Sequence, residues 1–194
     1  MITLVIGKPD SGKSLFAEDL AVKTGLKNRY YIATMVVCDE DGIARIKRHR
    51  RQRKGKGFVT LEIATDIEGA ADQMDDPDTS VAVLECVTNL TANLLFGGLS
   101  LEEGDFYRRS GRDTEACKEY PAQDKEYLAD VIVRKTVDLA GKVAHLIVVS
   151  GQYEAAPGDD EETAMYKTVL DMINTRLCKV ADIVYDMKDM DPVP

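Results

Sequence analysis

The sequence predicts an α/β protein in three layers, a mainly parallel sheet with helices on both faces. Three observations predict it. Short apolar runs alternate with segments whose apolar residues recur at helical spacing. Runs such as Ile2-Thr3-Leu4-Val5-Ile6 and Val81-Ala82-Val83-Leu84 read as strands covered on both sides. Strand and helix also follow one another in repeated order, which calls for parallel strands joined by helical crossovers. The 194 residues are expected to form one domain with a substantial core.

Taken in order, the first strand is residues 2–6, and a helix follows over about 13–25. Tyr30-Tyr31-Ile32-Ala33-Thr34 is a second strand, and a charged helix runs over about 41–53. Gly55 and Gly57 end that helix, and Phe58-Val59-Thr60-Leu61-Glu62 is a short strand. Residues 66–74 predict a helix opening on an acid, 75–78 a turn, and 81–85 a buried strand ending in a carboxylate. A helix over 88–96 stops at Gly97-Gly98. Periodicity is lost over about 100–123, which is expected to be a surface insertion. Helix returns over 125–140, strand over 145–150, an irregular stretch over 151–161, helix over 162–180 and strand over 182–185. The tail from Lys188 is expected to fray.

Composition narrows the function classes. A formal net charge of −9 argues against general nucleic-acid binding. No apolar run has the length of a membrane span, and the first segment is a core strand rather than a signal peptide. Cys38, Cys86, Cys117 and Cys178 are scattered, so the expectation is small core residues in a reducing cytoplasm rather than disulfides or zinc.

Between the first strand and its helix stands Gly7-Lys8-Pro9-Asp10-Ser11-Gly12-Lys13-Ser14, the G-x-x-x-x-G-K-S pattern of a phosphate-binding loop. The glycines let backbone N–H groups close around phosphate oxygens, and the helix N-terminus adds a favourable dipole. Lys13 would reach the terminal phosphates and the Ser14 hydroxyl would ligate Mg²⁺. The expected ligand is a nucleoside triphosphate. Ligands of such sheets bind at the carboxyl ends of the strands, which gathers this loop, Thr34, Glu85 and Ser150 on one edge.

Glu85 ends its strand where phosphate-loop proteins place a second carboxylate, suited to hold Mg²⁺ or its waters beside Ser14. The other reading is an acid favoured by the dipole of the next helix. The segment from Arg45 to Lys54 concentrates cations in an otherwise acidic chain. At helical spacing Arg45, His49 and Arg53 share a face. A solvated face and a nucleic-acid patch are two readings of such a run. The third is chemical: flanking arginines keep His49 neutral, as a nucleophile requires, and fork onto phosphate oxygens. His145, at the start of a core strand, is expected to be structural.

Together these segments resemble the bifunctional adenosylcobinamide kinase/adenosylcobinamide-phosphate guanylyltransferase family of cobalamin biosynthesis. The resemblance rests on residues 7–14, Tyr31-Ile32-Ala33-Thr34, residues 45–53, Thr60-Leu61-Glu62, and Leu84-Glu85-Cys86-Val87-Thr88-Asn89-Leu90 running on to Asn93-Leu94-Leu95-Phe96. Ala181-Asp182-Ile183-Val184 adds a weaker match. It implies ATP- or GTP-dependent phosphorylation of the hydroxyl on the aminopropanol arm of adenosylcobinamide. GMP from GTP is then transferred onto that phosphate through a guanylylated histidine. By motif position that histidine is His49. The loop at 7–14, Thr34, Met35, Val36, Arg50, Arg51, Gln52, Arg53, Glu62 and Glu85 would contact nucleotide. The resemblance also implies a homotrimer. The second half departs from the family pattern: Ser150-Gly151-Gln152-Tyr153-Glu154 stands where Asn-Glu-Val-Gly is usual, and Lys167-Thr168 and Asp171 replace an Arg-Asp pair and a glycine. Arg48 stands before His49 where a second histidine is common. Other readings of the same loop are a small-molecule kinase with another acceptor and a nucleotide-binding relative without chemistry.

Overall fold

In the computed structural model of the chain, residues 1–36, 40–96 and 125–188 are described. The expected insertion, the glycine stop at 97–98, Cys38, Cys117 and the end of the tail lie outside them. Six strands form one sheet: β1 (Ile2–Gly7), β2 (Arg29–Ala33), β3 (Phe58–Glu62), β4 (Val81–Glu85), β5 (His145–Gly151) and β6 (Ile183–Asp186). Their order is β3-β2-β4-β5-β1-β6, and every pair is parallel.

The apolar runs decided which strands lie inside. β1 and β5 are buried at every residue and β4 at all but its last, whereas the edge strands β3 and β6 each show exposed positions. Successive side chains point to opposite faces, so each central strand feeds two cores. Leu4, Ile32, Leu84 and Leu146 enter one. It is closed by α3 (Val87–Leu95), α4 (Lys125–Ala140) and α5 (Glu161–Val180). Val5, Tyr31, Val83 and Val149 enter the other, covered by Ala17 and Ala21 of α1 (Lys13–Lys23). Each fully buried Leu or Ile contributes about 1.5–3 kcal/mol relative to exposure.

The helix expected at 66–74 is present as a 3-10 helix, Ile67–Gln73. Its buried residues explain the tighter winding: Ile67 and Ala70, then Ala71 and Met74, stand three apart. α2 (Glu40–Arg53) differs from the other helices in having no apolar face on the sheet. Ile43 is exposed, Ile46 and His49 are half-buried, and Arg53 at its end is buried. It stands off the strand ends and leaves a cavity beneath it. His145 is structural as expected, buried with Nε2 hydrogen-bonded to Thr3 Oγ1 at 2.8 Å. The cysteine expectation fails at Cys178, which is exposed, and Cys86 is only half-buried, at the cavity.

Candidate active site

The carboxyl ends of the strands and α2 enclose a cavity of about 1240 Å³. The phosphate loop forms its floor. Gly12 has φ 82°, a left-handed conformation that suits glycine, and it starts α1 so that Phe16 N–H donates to Gly12 O at 3.0 Å. Lys13 Nζ donates to Lys8 O and to Ser11 Oγ, which draws the ammonium across the loop. Burial lowers the Lys13 pKa, against the pull of Glu85. Of the loop, residues 9 to 14 line the cavity, whereas Gly7 closes β1 and accepts from Gln152 N–H at 2.9 Å. Lys8 points away and pairs with Glu154 at 3.1 Å, both side chains exposed.

Ser14 and Glu85 meet. The Ser14 hydroxyl donates to Glu85 Oε1 at 3.0 Å, while Oε2 is buried with no partner among the described residues. Burial pushes the Glu85 pKa up to about 7, against the Ser14 hydrogen bond and Lys13, which lower it. A hydroxyl and a carboxylate with one oxygen unused fit a hard divalent cation that keeps water and phosphate as its remaining ligands. No group of three or more His, Cys, Asp or Glu side chains that could hold an ion stands together among the described residues, which agrees with so open a site.

Thr34 does not line the cavity. Its side chain is buried outside the cavity lining, and its hydroxyl both donates to Cys86 O and accepts from Cys86 N–H, at 2.8 Å each. Thr34 N–H donates to Glu85 O at 2.9 Å, and Asn93 Nδ2 donates to Thr34 O at 2.8 Å. The N–H and hydroxyl of Thr34 therefore tie β2 to the end of β4, where Glu85 sits, and its carbonyl is held by Asn93 of α3. Met35 and Val36 do line the cavity.

α2 hangs several side chains over this floor. His49 lines the cavity, and its Nδ1 is buried with no partner among the described residues. Burial lowers its pKa, and Arg53, Arg48 and Arg45 lower it further. Both effects favour the neutral imidazole. Arg53 Cζ lies 3.6 Å from the centroid of the Tyr31 ring, worth about 0.5–2 kcal/mol, and its Nη1 is buried with no partner among the described residues. Arg50 pairs with Glu62 at 2.5 Å across the cavity rim, both more than half exposed. Gln52 lines the cavity, and Arg51 is exposed outside it. Just past the helix, Lys56 Nζ donates to buried Glu18 at 2.9 Å and to Asp19 at 2.8 Å, pinning this end to α1.

Pattern reading did not find Tyr153, Thr88 and Asn89, which form the opposite wall. Thr88 and Asn89 stand in a segment that carries the family resemblance, and Tyr153 is an aromatic at a departure from the family pattern.

A profile of the family described as "Cobinamide kinase / cobinamide phosphate guanyltransferase" matches residues 3–189. The chain is 36% identical over 96 residues to the bifunctional adenosylcobalamin biosynthesis protein CobU of Escherichia coli (strain K12), covering 50% of this chain and 51% of that protein. It is 34% identical over 96 residues to the protein of the same name from Salmonella typhimurium (strain LT2), with the same coverage. The chain thus spans about half the length of the curated relatives it matches. Among solved structures, the flagellar accessory protein FlaH from Methanocaldococcus jannaschii overlays with a TM-score of 0.44 at 13% identity, over 95% of this chain and 70% of that one. That likeness is too slight to bear on function. No helix among the described residues is long and apolar enough to cross a membrane.

Proposed function

Since the chain belongs to the cobinamide kinase/cobinamide phosphate guanyltransferase family, we propose that it both phosphorylates adenosylcobinamide and transfers GMP to the product. The observation that carries the reading is the shared cavity, with a neutral, arginine-flanked His49 above a phosphate loop that holds the Ser14–Glu85 pair. In the first reaction the acceptor hydroxyl oxygen attacks the γ-phosphorus of ATP or GTP, and the nucleoside diphosphate leaves. The loop backbone and Lys13 hold the phosphates in line. In the second, an imidazole nitrogen of His49 attacks the α-phosphorus of GTP and pyrophosphate leaves. A phosphate oxygen of the acceptor then attacks the same phosphorus and breaks the P–N bond, freeing His49. Two easier displacements replace one hard one.

Arg53 Nη1, buried with no partner among the described residues, is suited to an α-phosphate oxygen. Mg²⁺, held by Ser14 and Glu85, would neutralise charge on the phosphate oxygens. Arg50, Gln52 and Glu62 would take the nucleoside on the β3 side. The same reading makes the enzyme cytoplasmic and homotrimeric, which sedimentation of the purified chain checks.

GTP labelled at its α-phosphate tests the reading. The wild type should acquire an acid-labile, base-stable label that is absent in His49→Ala. A wild type that never takes the label overturns the guanylyl-transfer claim, and γ-phosphate transfer alone would leave a kinase.

A further inference from the structure

The Tyr153 ring is fixed in place rather than loose on a loop. It sits directly over Gly151, where an added Cβ would stand 2.7 Å from Tyr153 Cε2 and 2.9 Å from Thr88 Oγ1. No larger residue fits at 151 with the ring where it is. Gly151 is itself held from both sides, its N–H donating to Thr88 Oγ1 at 2.8 Å and its carbonyl accepting from Asn174 Nδ2 at 2.9 Å. Behind the ring, Tyr166 packs against it at a tilt, 6.2 Å between centroids and 59° between planes, and donates its hydroxyl to Thr88 O at 3.2 Å, with Phe96 6.5 Å further on. The chain after the ring is pinned as well. Lys167 Nζ donates to Glu154 O at 3.0 Å and to both Asp159 carboxylate oxygens at 2.8 Å. The two segments that depart from the family pattern, 150–154 and 167–168, therefore brace each other.

So fixed, Tyr153 still leaves 41% of its surface exposed on the cavity wall. The ring lines the same cavity as α2 and the phosphate loop, and burial raises its phenol pKa, with Cys86 and Asp10 adding to the rise and Arg45 opposing it. The cavity thus has two chemically different ends. The β3 end carries Arg50, Gln52 and Glu62, and the β5 end carries the tyrosine face. A charged nucleotide matches the first end. An acceptor with a broad apolar body beside its reacting oxygen matches the second, because an ordered ring stacks at little entropic cost.

We propose that Tyr153 is a specificity-determining residue for the acceptor, its ring face packing on the apolar body of a corrinoid next to the arm that is phosphorylated and guanylylated. The assignment rests on the function proposed above and adds which wall reads the acceptor.

Equilibrium dialysis of cobinamide phosphate against the full chain without nucleotide tests it directly, alongside steady-state KM values for acceptor and GTP. Tyr153→Ala should weaken acceptor binding and raise its KM about tenfold, with no matching rise in the KM for GTP, while Tyr153→Phe stays within about twofold of wild type. Unchanged acceptor binding in Tyr153→Ala overturns the proposal. So does an equal rise in the KM for GTP, which would give the ring to the nucleobase. The α-phosphate labelling of His49 is read on the same preparations. Labelling with acceptor binding that ignores Tyr153 sinks this inference alone, and tyrosine-dependent acceptor binding with no label sinks only the guanylyl-transfer claim.

Discussion

Thr34→Val separates a brace from a ligand contact. The substitution preserves shape and removes a hydroxyl that serves both polar groups of the Cys86 backbone, at 2.8 Å each. Thr34 is fully buried, so no water replaces the hydroxyl from its side. Each buried polar group left unpaired costs about 1–3 kcal/mol. The Cys86 carbonyl keeps Leu90 N–H as a donor at 3.1 Å, so the Cys86 N–H is the group left unpaired and the expected loss is about 1–3 kcal/mol. For a chain of this size that lowers Tm by roughly 2–12 °C. Thr34→Ser keeps the hydroxyl and should lose only about 1 kcal/mol, for its methyl group. Urea denaturation of the three proteins gives the stabilities, and titration with nucleotide in native conditions gives the affinities. Since Glu85 precedes Cys86, nucleotide binding should weaken together with stability. If Thr34→Val is as stable as wild type yet binds nucleotide tenfold less tightly, Thr34 contacts the ligand and the bracing argument is refuted.

Lys56→Met should destabilise by about 2–4 kcal/mol, because Glu18 keeps no exposed surface and loses its cation, and Glu18→Leu in the same chain should recover part of the loss. The deficit should shrink in acid, where Glu18, its pKa already raised by burial, takes up a proton. The pH dependence of His49 labelling follows from its lowered pKa: the neutral form persists below the range of a free imidazole, and the rate falls only as pH drops through the folded value. Arg48→Gln removes one of the charges that lower it, so the acid limb should move to higher pH, and a limb that stays in place would count against the arginine argument. Gly151→Ala forces the Tyr153 ring off its seat, at about 1–3 kcal/mol, and should raise the KM for acceptor as Tyr153→Ala does. Ser14→Ala should raise the Mg²⁺ concentration needed for half-maximal labelling several-fold, because Glu85 alone remains to hold the ion.

Local chemistry made much of this legible in the sequence. The loop at 7–14, the continuous apolar runs and the strand-end carboxylate each state their role within a few residues, and the structure places them on one edge. Thr34 was legible only as a strand end. Whether its hydroxyl meets a ligand or a backbone depends on β2 pairing with β4 in the register that sets Ala33 beside Glu85, which no local pattern encodes. Helical spacing put Arg53 on the face of His49, but its burial against Tyr31 follows from the tight approach of the helix end to the sheet, which no local pattern encodes. Lys56 and Glu18 are 38 residues apart, and a loop lysine has no local sign of a buried partner. Tyr153 needed Gly151, Thr88 and Tyr166 from three elements before its orientation meant anything.

The position of β1 in the sheet has a consequence for how the protein is made. The strand that carries the phosphate loop pairs only with β5 and β6, joining Ile2 to Leu146 and Thr3 to Ile183. It leaves the ribosome before the other strands of the sheet and has no neighbour to pair with until β5 has followed. At translation rates of about 5–20 residues per second, that wait is roughly 7–30 s. Throughout it an apolar strand has both edges open, and the loop has no framework on which to hold a phosphate. Nucleotide can stabilise the finished domain but cannot guide its early folding, so a nascent chain stalled before residue 145 should depend on chaperones whatever the GTP supply.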